Sequence, residues 1–153
     1  MLKNEDIICI STIDWEFNWQ GHQEIMAAFA EQGNRVLYIE NMGVRVPNFK
    51  DLHRLWKRLI NWKKGIRGIR KVRERLYVFS PVIFPFPFSR IASRVNYWIL
   101  LSQLKGWMRF ISFDDPVIWA FLPTEMAVDL IKHFRKKLVV YYCIADFEKL
   151  VRQ

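Results

Sequence analysis

The residues best suited to chemistry cluster between the first two apolar runs of the chain. Residues 11–23 read Ser-Thr-Ile-Asp-Trp-Glu-Phe-Asn-Trp-Gln-Gly-His-Gln. Asp14 and His22 are two of the side chains there that can accept a proton. Trp15 and Trp19 offer flat faces that stack on sugar C–H surfaces or on nucleobases, and Gln23 supplies hydrogen bonds of the kind hydroxyl groups need. A histidine at a helix start feels the positive end of the helix dipole, which favours the neutral imidazole and suits a base or a hydrogen-bond partner. The plainer reading is that the tryptophans close the end of a core and His22 does no chemistry.

These residues must be carried by a fold. Residues 6–12 (DIICIST) are too short for a helix and read as a strand buried on both faces. Residues 21–32 carry Ile25, Met26, Ala28, Phe29 and Ala30 at helical spacing, and Gly33-Asn34 would close that helix with a left-handed cap. Residues 35–40 (RVLYIE) are a second strand. Strand, helix, strand is a βαβ unit, which joins parallel strands by a right-handed crossover.

The pattern continues with strands at 76–80, 117–121 and 138–144, and with helices from Ser89 and from Pro123 to Phe134, the latter capped by Thr124. The first of these helices carries Ile91, Val95, Trp98, Ile99, Leu101 and Leu104. Residues 81–88 hold three prolines and form an apolar loop. Alternation of this kind predicts one α/β domain over residues 1–153, a Rossmann-like, doubly wound parallel sheet of about five strands. Ligands of such sheets bind beyond the carboxyl ends of the strands, where residues 11–23, 40–45, 80–88 and 145–148 fall.

Glu40 stands where the ribose-binding acid of a dinucleotide fold would. Yet the preceding loop has no G-x-G-x-x-G, and Trp19, Gln20 and His22 occupy the space where a pyrophosphate needs close backbone approach. There is no G-x-x-x-x-G-K-[ST] either. No cofactor and no metal site are expected.

The formal net charge is +9. It concentrates in residues 50–75, where Leu52, Leu55, Trp56, Leu59, Ile60 and Trp62 recur at helical spacing among Lys57, Arg58, Lys63, Lys64 and further cations. Gly65 and Gly68 would break that helix. Apolar and aromatic residues on one side with cations on the other suit an anionic membrane surface, with Trp56, Lys57, Arg58, Trp62, Lys63 and Lys64 as contacts. A solvated face and a nucleic-acid patch are the competing readings; no nucleic-acid motif is present, so no nucleic-acid partner is expected. The apolar runs are too short to span a bilayer, which takes ~20 residues, and the N-terminus is not a secretory signal. Cys9 and Cys143 lie in apolar runs and are expected buried and reduced, as in the cytoplasm.

Asp14-Trp15, the stretch Trp19 to Gln23 and the run from Gly33 to Glu40 resemble the start of bacterial GT-B-type glycosyltransferases of teichuronic-acid and exopolysaccharide assembly. Ser80-Pro81, Pro85-Phe86-Pro87, Val117-Ile118-Trp119, Pro123 and the run from Val140 to Asp146 follow the same pattern in the same order. The resemblance implies the N-terminal, acceptor-side half of a two-domain enzyme at the inner face of the cell membrane. It implies a glycan or lipid-linked acceptor bound by Trp15, Trp19, Gln23 and Asp146, with His22 or Asp14 as base if configuration inverts. The nucleotide-sugar donor would be held by a C-terminal domain that this chain lacks, so the chain alone is expected to be inactive. The alternative is a non-enzymatic binding module of the same fold, recruited to anionic surfaces.

Overall fold

A computed structural model describes residues 2–40, 68–81, 90–121 and 124–143. Six strands form one sheet: β1 (Asp6–Ile10), β2 (Arg35–Ile39), β3 (Ile69–Arg73), β4 (Leu76–Phe79), β5 (Val117–Ala120) and β6 (Leu138–Tyr141). Their spatial order is β3-β4-β2-β1-β5-β6, and all neighbours are parallel except β3 and β4. Three helices are described: α1 (Gly21–Glu31), α2 (Arg90–Phe110) and α3 (Glu125–His133).

Side chains alternate across each strand, so each strand feeds two cores. Ile8, Ile10, Leu37, Ile39, Phe79, Ile118 and Ala120 face α2 and α3, where Leu100, Leu101, Leu104, Trp107, Ala127 and Leu130 meet them. Ile7, Cys9, Val36, Tyr38, Leu76, Val78 and Val117 face α1, where Met26, Ala27 and Ala30 meet them. Helices on both faces explain why β1 is buried at every residue. From β1 the chain steps one way to β2 and β4, then returns across β1 to β5 and β6. The carboxyl ends of β1 and β5 therefore flank the point where the winding reverses.

The helix ends follow local chemistry. Gly33 adopts a φ of 93°; its N–H donates to the Ala30 carbonyl, and the Asn34 N–H donates to that of Phe29. This paired pattern satisfies two orphan carbonyls and needs a residue without a Cβ penalty. The fully buried Asn34 amide also holds the N-terminal segment through the Leu2 carbonyl and the Glu5 N–H. Thr124 Oγ1 caps α3 by accepting from the Ala127 N–H at 3.1 Å. At the amino edge, Arg35 makes a bidentate pair with Asp6 at 2.6 and 2.7 Å and donates to the carbonyls of Ile111 and Ser112 beyond α2.

Three expectations change. The sheet has six strands, because β3 lies within the stretch read as one basic segment, 50–75. Ile69–Arg73 pairs antiparallel with β4 through a turn at Glu74 and Arg75, the latter at φ 60°. Charged residues at Arg70, Lys71 and Arg73 masked the strand period, a composition common on edge strands. Next, β6 is largely exposed, and Cys143 just after it is exposed while Cys9 is buried. An edge strand lacks a neighbour to cover it. Last, Ile91, Val95 and Trp98, counted in the apolar pattern of α2, face solvent, whereas Leu101 and Leu104 of that pattern are buried. Residues 41–67, including Trp56, Lys57, Arg58, Trp62, Lys63 and Lys64, lie outside the described residues, as do residues 82–89, Pro123 and Asp146.

Candidate functional site

The candidate site lies at the carboxyl ends of β1, β2 and β4. The ladder continues one residue past each strand: the Ser11 N–H donates to the Ile39 carbonyl, the Glu40 N–H to that of Phe79, and the Phe121 N–H to that of Ile10. Ser11, Glu40 and Phe121 are thereby fixed along one edge, Ser80 is held there by its N–H donating to the Gly68 carbonyl, and all four are buried.

His22 sits in the second position of α1 and is 5% exposed. Its ring stacks on Phe121 with centroids 3.7 Å apart and planes 11° from parallel. Nδ1 lies 2.9 Å from Ser11 Oγ, which lies 2.6 Å from the Tyr38 hydroxyl. Tyr38 donates to the Ile13 carbonyl at 3.0 Å, and the Ile13 N–H donates to Ser11 Oγ at 3.1 Å.

One assignment of protons satisfies all four bonds. The Tyr38 proton goes to the Ile13 carbonyl, the Ser11 proton to the Tyr38 oxygen, and the Nδ1–H of His22 to Ser11 Oγ. The Nε2 of His22 then carries a lone pair. Burial lowers the pKa of His22 from its ordinary 6.5, so the ring is neutral at pH 7. A neutral imidazole in a fixed tautomer, set where the chain reverses its winding, can accept a proton or a hydroxyl hydrogen bond.

Tyr38, in the same network, is held un-ionised by its burial. Burial raises its pKa well above the ordinary range; Cys9, Glu40 and Asp14 add to the rise, while the bond to Ser11 opposes it. Asp14 is therefore near enough to Tyr38 to act on it electrostatically. Its carbonyl accepts from the Phe17 N–H and from the Gln23 amide.

A second network joins Glu40, Arg70 and Ser80. Glu40 Oε1 accepts from the Trp15 N–H at 2.9 Å and from Arg70 Nη2 at 3.2 Å, and Oε2 accepts a short bond from Ser80 Oγ. Arg70 Nη1 donates to Ser80 Oγ at 2.7 Å, and Nη2 also reaches the exposed Glu16. Both oxygens of Glu40 are thus engaged within the protein. The acid that stood where a ribose would bind instead neutralises a buried arginine and pins the loop at Trp15.

Comparison with protein families, with curated proteins and with solved structures finds no match for this chain.

The remaining loop residues divide by exposure. Trp15 is 8% exposed and packs edge-on against Tyr38 and Trp19, at 5.0 and 5.3 Å, so its ring belongs to the core. Gln23 is fully buried; its Oε1 accepts from the Gln20 N–H and its amide donates to the Asn18 carbonyl at 3.0 Å, which ties the loop to α1. Trp19 is 45% exposed, donates from Nε1 to Glu24 at 2.5 Å, and lies under the Arg73 guanidinium at 5.2 Å. Phe17 of the same loop is 62% exposed. The structure thus brings His22, Asp14 and the tryptophans into one loop and helix start, and it offers Trp19 and Phe17, not Trp15, to solvent.

Sequence reasoning missed Ser11, Tyr38, Arg70, Ser80 and Phe121. Ser11 and Ser80 each follow the last apolar residue of a strand read from the sequence, and Phe121 ends another such strand, which is the signal that could have found them. Tyr38 and Arg70 are reached only once the strand register is known. No three His, Cys, Asp or Glu side chains among the described residues form a metal-sized group.

Proposed function

We propose that this chain is the acceptor-side domain of a GT-B-type glycosyltransferase, with a Rossmann-like sheet, working at the inner face of the cell membrane. The observation that carries this reading is His22: a buried, neutral imidazole with Nδ1 committed to Ser11, at the reversal point of a parallel sheet. Acceptor hydroxyls are weak nucleophiles, and a base of this kind is what an inverting transfer needs. The hydroxyl oxygen would attack the anomeric carbon of a nucleotide-sugar as the bond to the departing diphosphate breaks. The hydroxyl proton would pass to Nε2 of His22. Asp14 remains the alternative base, and a retaining reaction needs neither.

The exposed Trp19 and Phe17 suit the apolar face of a sugar ring. Engagement of Glu40 by Arg70 and Ser80 argues against a dinucleotide at this edge. The resemblance implies that the donor would be bound by a further domain. Binding of the chain to bacterial cell-wall glycans, immobilised and free, tests the reading. We expect binding that weakens by about two- to tenfold in Trp19→Ala, the scale of one lost aromatic contact. Binding to no glycan, with binding to NAD instead, would sink it.

The competing reading is a non-enzymatic module of the same fold, recruited to anionic surfaces. It is favoured by the inward pairing of Ser11, Tyr38, Glu40, Arg70 and Ser80, which leaves His22 as the main polar group able to face a ligand. A glycan affinity indifferent to His22→Ala supports the module.

A further inference from the structure

The helix α2 carries a stripe that the core does not use. Ile91, Arg94, Val95, Trp98, Ser102 and Arg109 are all exposed, and their spacing puts them on one helical face. Ile91 is 78% exposed, Val95 42% and Trp98 59%. The opposite face holds Leu100, Leu101, Leu104, Trp107 and Met108 against the sheet. So none of the three apolar residues of the stripe belongs to the core of the described residues.

The charge on this helix is one-sided. Its sequence, RIASRVNYWILLSQLKGWMRF, contains four cations and no acid. Arg94 lies among the apolar residues of the stripe, and Arg109 extends it. Asp129 of α3 acts on Tyr97, one residue off the stripe. Apolar side chains, a half-exposed tryptophan and flanking cations are the composition of helices that lie in the headgroup region of a bilayer. No helix of the described residues is long and apolar enough to cross one.

We infer that the outer stripe of α2 is a membrane-docking face for anionic lipid. The inference rests on the membrane half of the reading above and not on sugar transfer. It differs from the contacts expected at Trp56 to Lys64, because it uses a helix whose inner face is locked to the sheet. The three apolar side chains expose on the order of 350 Å², under half of the ~800 Å² that a stable protein interface takes from each partner. A stripe that small suits shallow insertion into lipid, with the cations holding headgroup phosphates. The stripe runs about 27 Å at 1.5 Å per residue, so the helix would lie flat on the surface.

Sedimentation of the full chain with vesicles tests this. The vesicles are phosphatidylcholine alone, or phosphatidylcholine with an equal share of phosphatidylglycerol, at low and at high salt. We expect binding to the anionic vesicles that falls with salt. The triple variant Ile91→Glu, Val95→Glu, Trp98→Glu should lose at least about tenfold in partitioning, since each large apolar side chain alone contributes that much on full burial. Its circular dichroism should match the parent, and Val128→Glu on the exposed face of α3 should bind as the parent does. Unchanged partitioning of the triple variant overturns the inference, as does equal binding to neutral vesicles or tighter binding to duplex nucleic acid. Loss of binding in Trp56→Ala, Trp62→Ala with none in the triple variant overturns it too, while leaving the membrane reading intact.

Discussion

His22 Nδ1 lies 2.9 Å from Ser11 Oγ, and this contact ties a histidine at the sheet's reversal point to the residue that follows β1. Burial lowers the pKa of His22 below its ordinary 6.5. The unfolded chain therefore binds a proton more readily than the folded one as pH falls through about 6.5. Stability from this group is full above that pH and is lost progressively below it, down to the folded pKa. Thermal unfolding followed from pH 8 to pH 5 should show this decline, and His22→Gln should flatten it. An identical slope in the variant contradicts the assignment.

Tyr38→Phe removes the proton donated to the Ile13 carbonyl and the acceptor that takes the Ser11 proton. Two buried groups lose partners, at a cost of about 1–3 kcal/mol in urea unfolding. The Ser11 proton is then free to turn to His22 Nδ1. Nitrogen-15 spectra of the imidazole should show a shift toward the Nε2–H tautomer. A spectrum that keeps Nδ1–H unchanged would contradict the proton assignment.

Arg70 and Glu40 are 8% and 3% exposed and neutralise each other. Arg70→Met strands the carboxylate and should destabilise by about 3–5 kcal/mol. The double variant Arg70→Met, Glu40→Leu should cost clearly less than the sum of its parts, because no buried charge is left alone. Additive losses would mean that the pair is not coupled.

The two thiols should separate cleanly. Cys143 is exposed, whereas burial pushes the Cys9 thiol well above its ordinary range. A thiol reagent at pH 8 should modify one cysteine in the native protein and the second only after unfolding. Substituting Cys143→Ser should abolish the fast reaction. Modification of Cys9 in the native state at a comparable rate contradicts its burial.

Much of the fold was legible because local chemistry and burial agreed. The isoleucine-rich β1, the Gly33-Asn34 cap and the Thr124 cap each carry their own signal. The failures share one cause: exposure is a tertiary property. Residues 138–144 are apolar enough for a central strand, yet β6 lies at an edge. Ile91, Val95 and Trp98 have the spacing of a core stripe, yet Leu100, Leu104 and Trp107 fill that role. In β3 the cations hid the strand, and nothing local marks Arg70 as the buried one. At the site, residue types pointed to His22, Asp14 and the tryptophans. The network that holds His22 joins residues 11, 22 and 38 across two strands and a helix, and only the register reveals it. Trp15 and Trp19 are alike in sequence, and packing on Tyr38 decides which is buried.

The account turns on whether His22 meets an acceptor. Nitrogen-15 spectra of the histidine rings during titration with bacterial cell-wall glycans measure this most directly. The Nε2 signal of His22 should move as glycan is added, while that of His133 on α3 should stay. Saturable glycan binding that leaves the His22 ring unmoved would contradict the account.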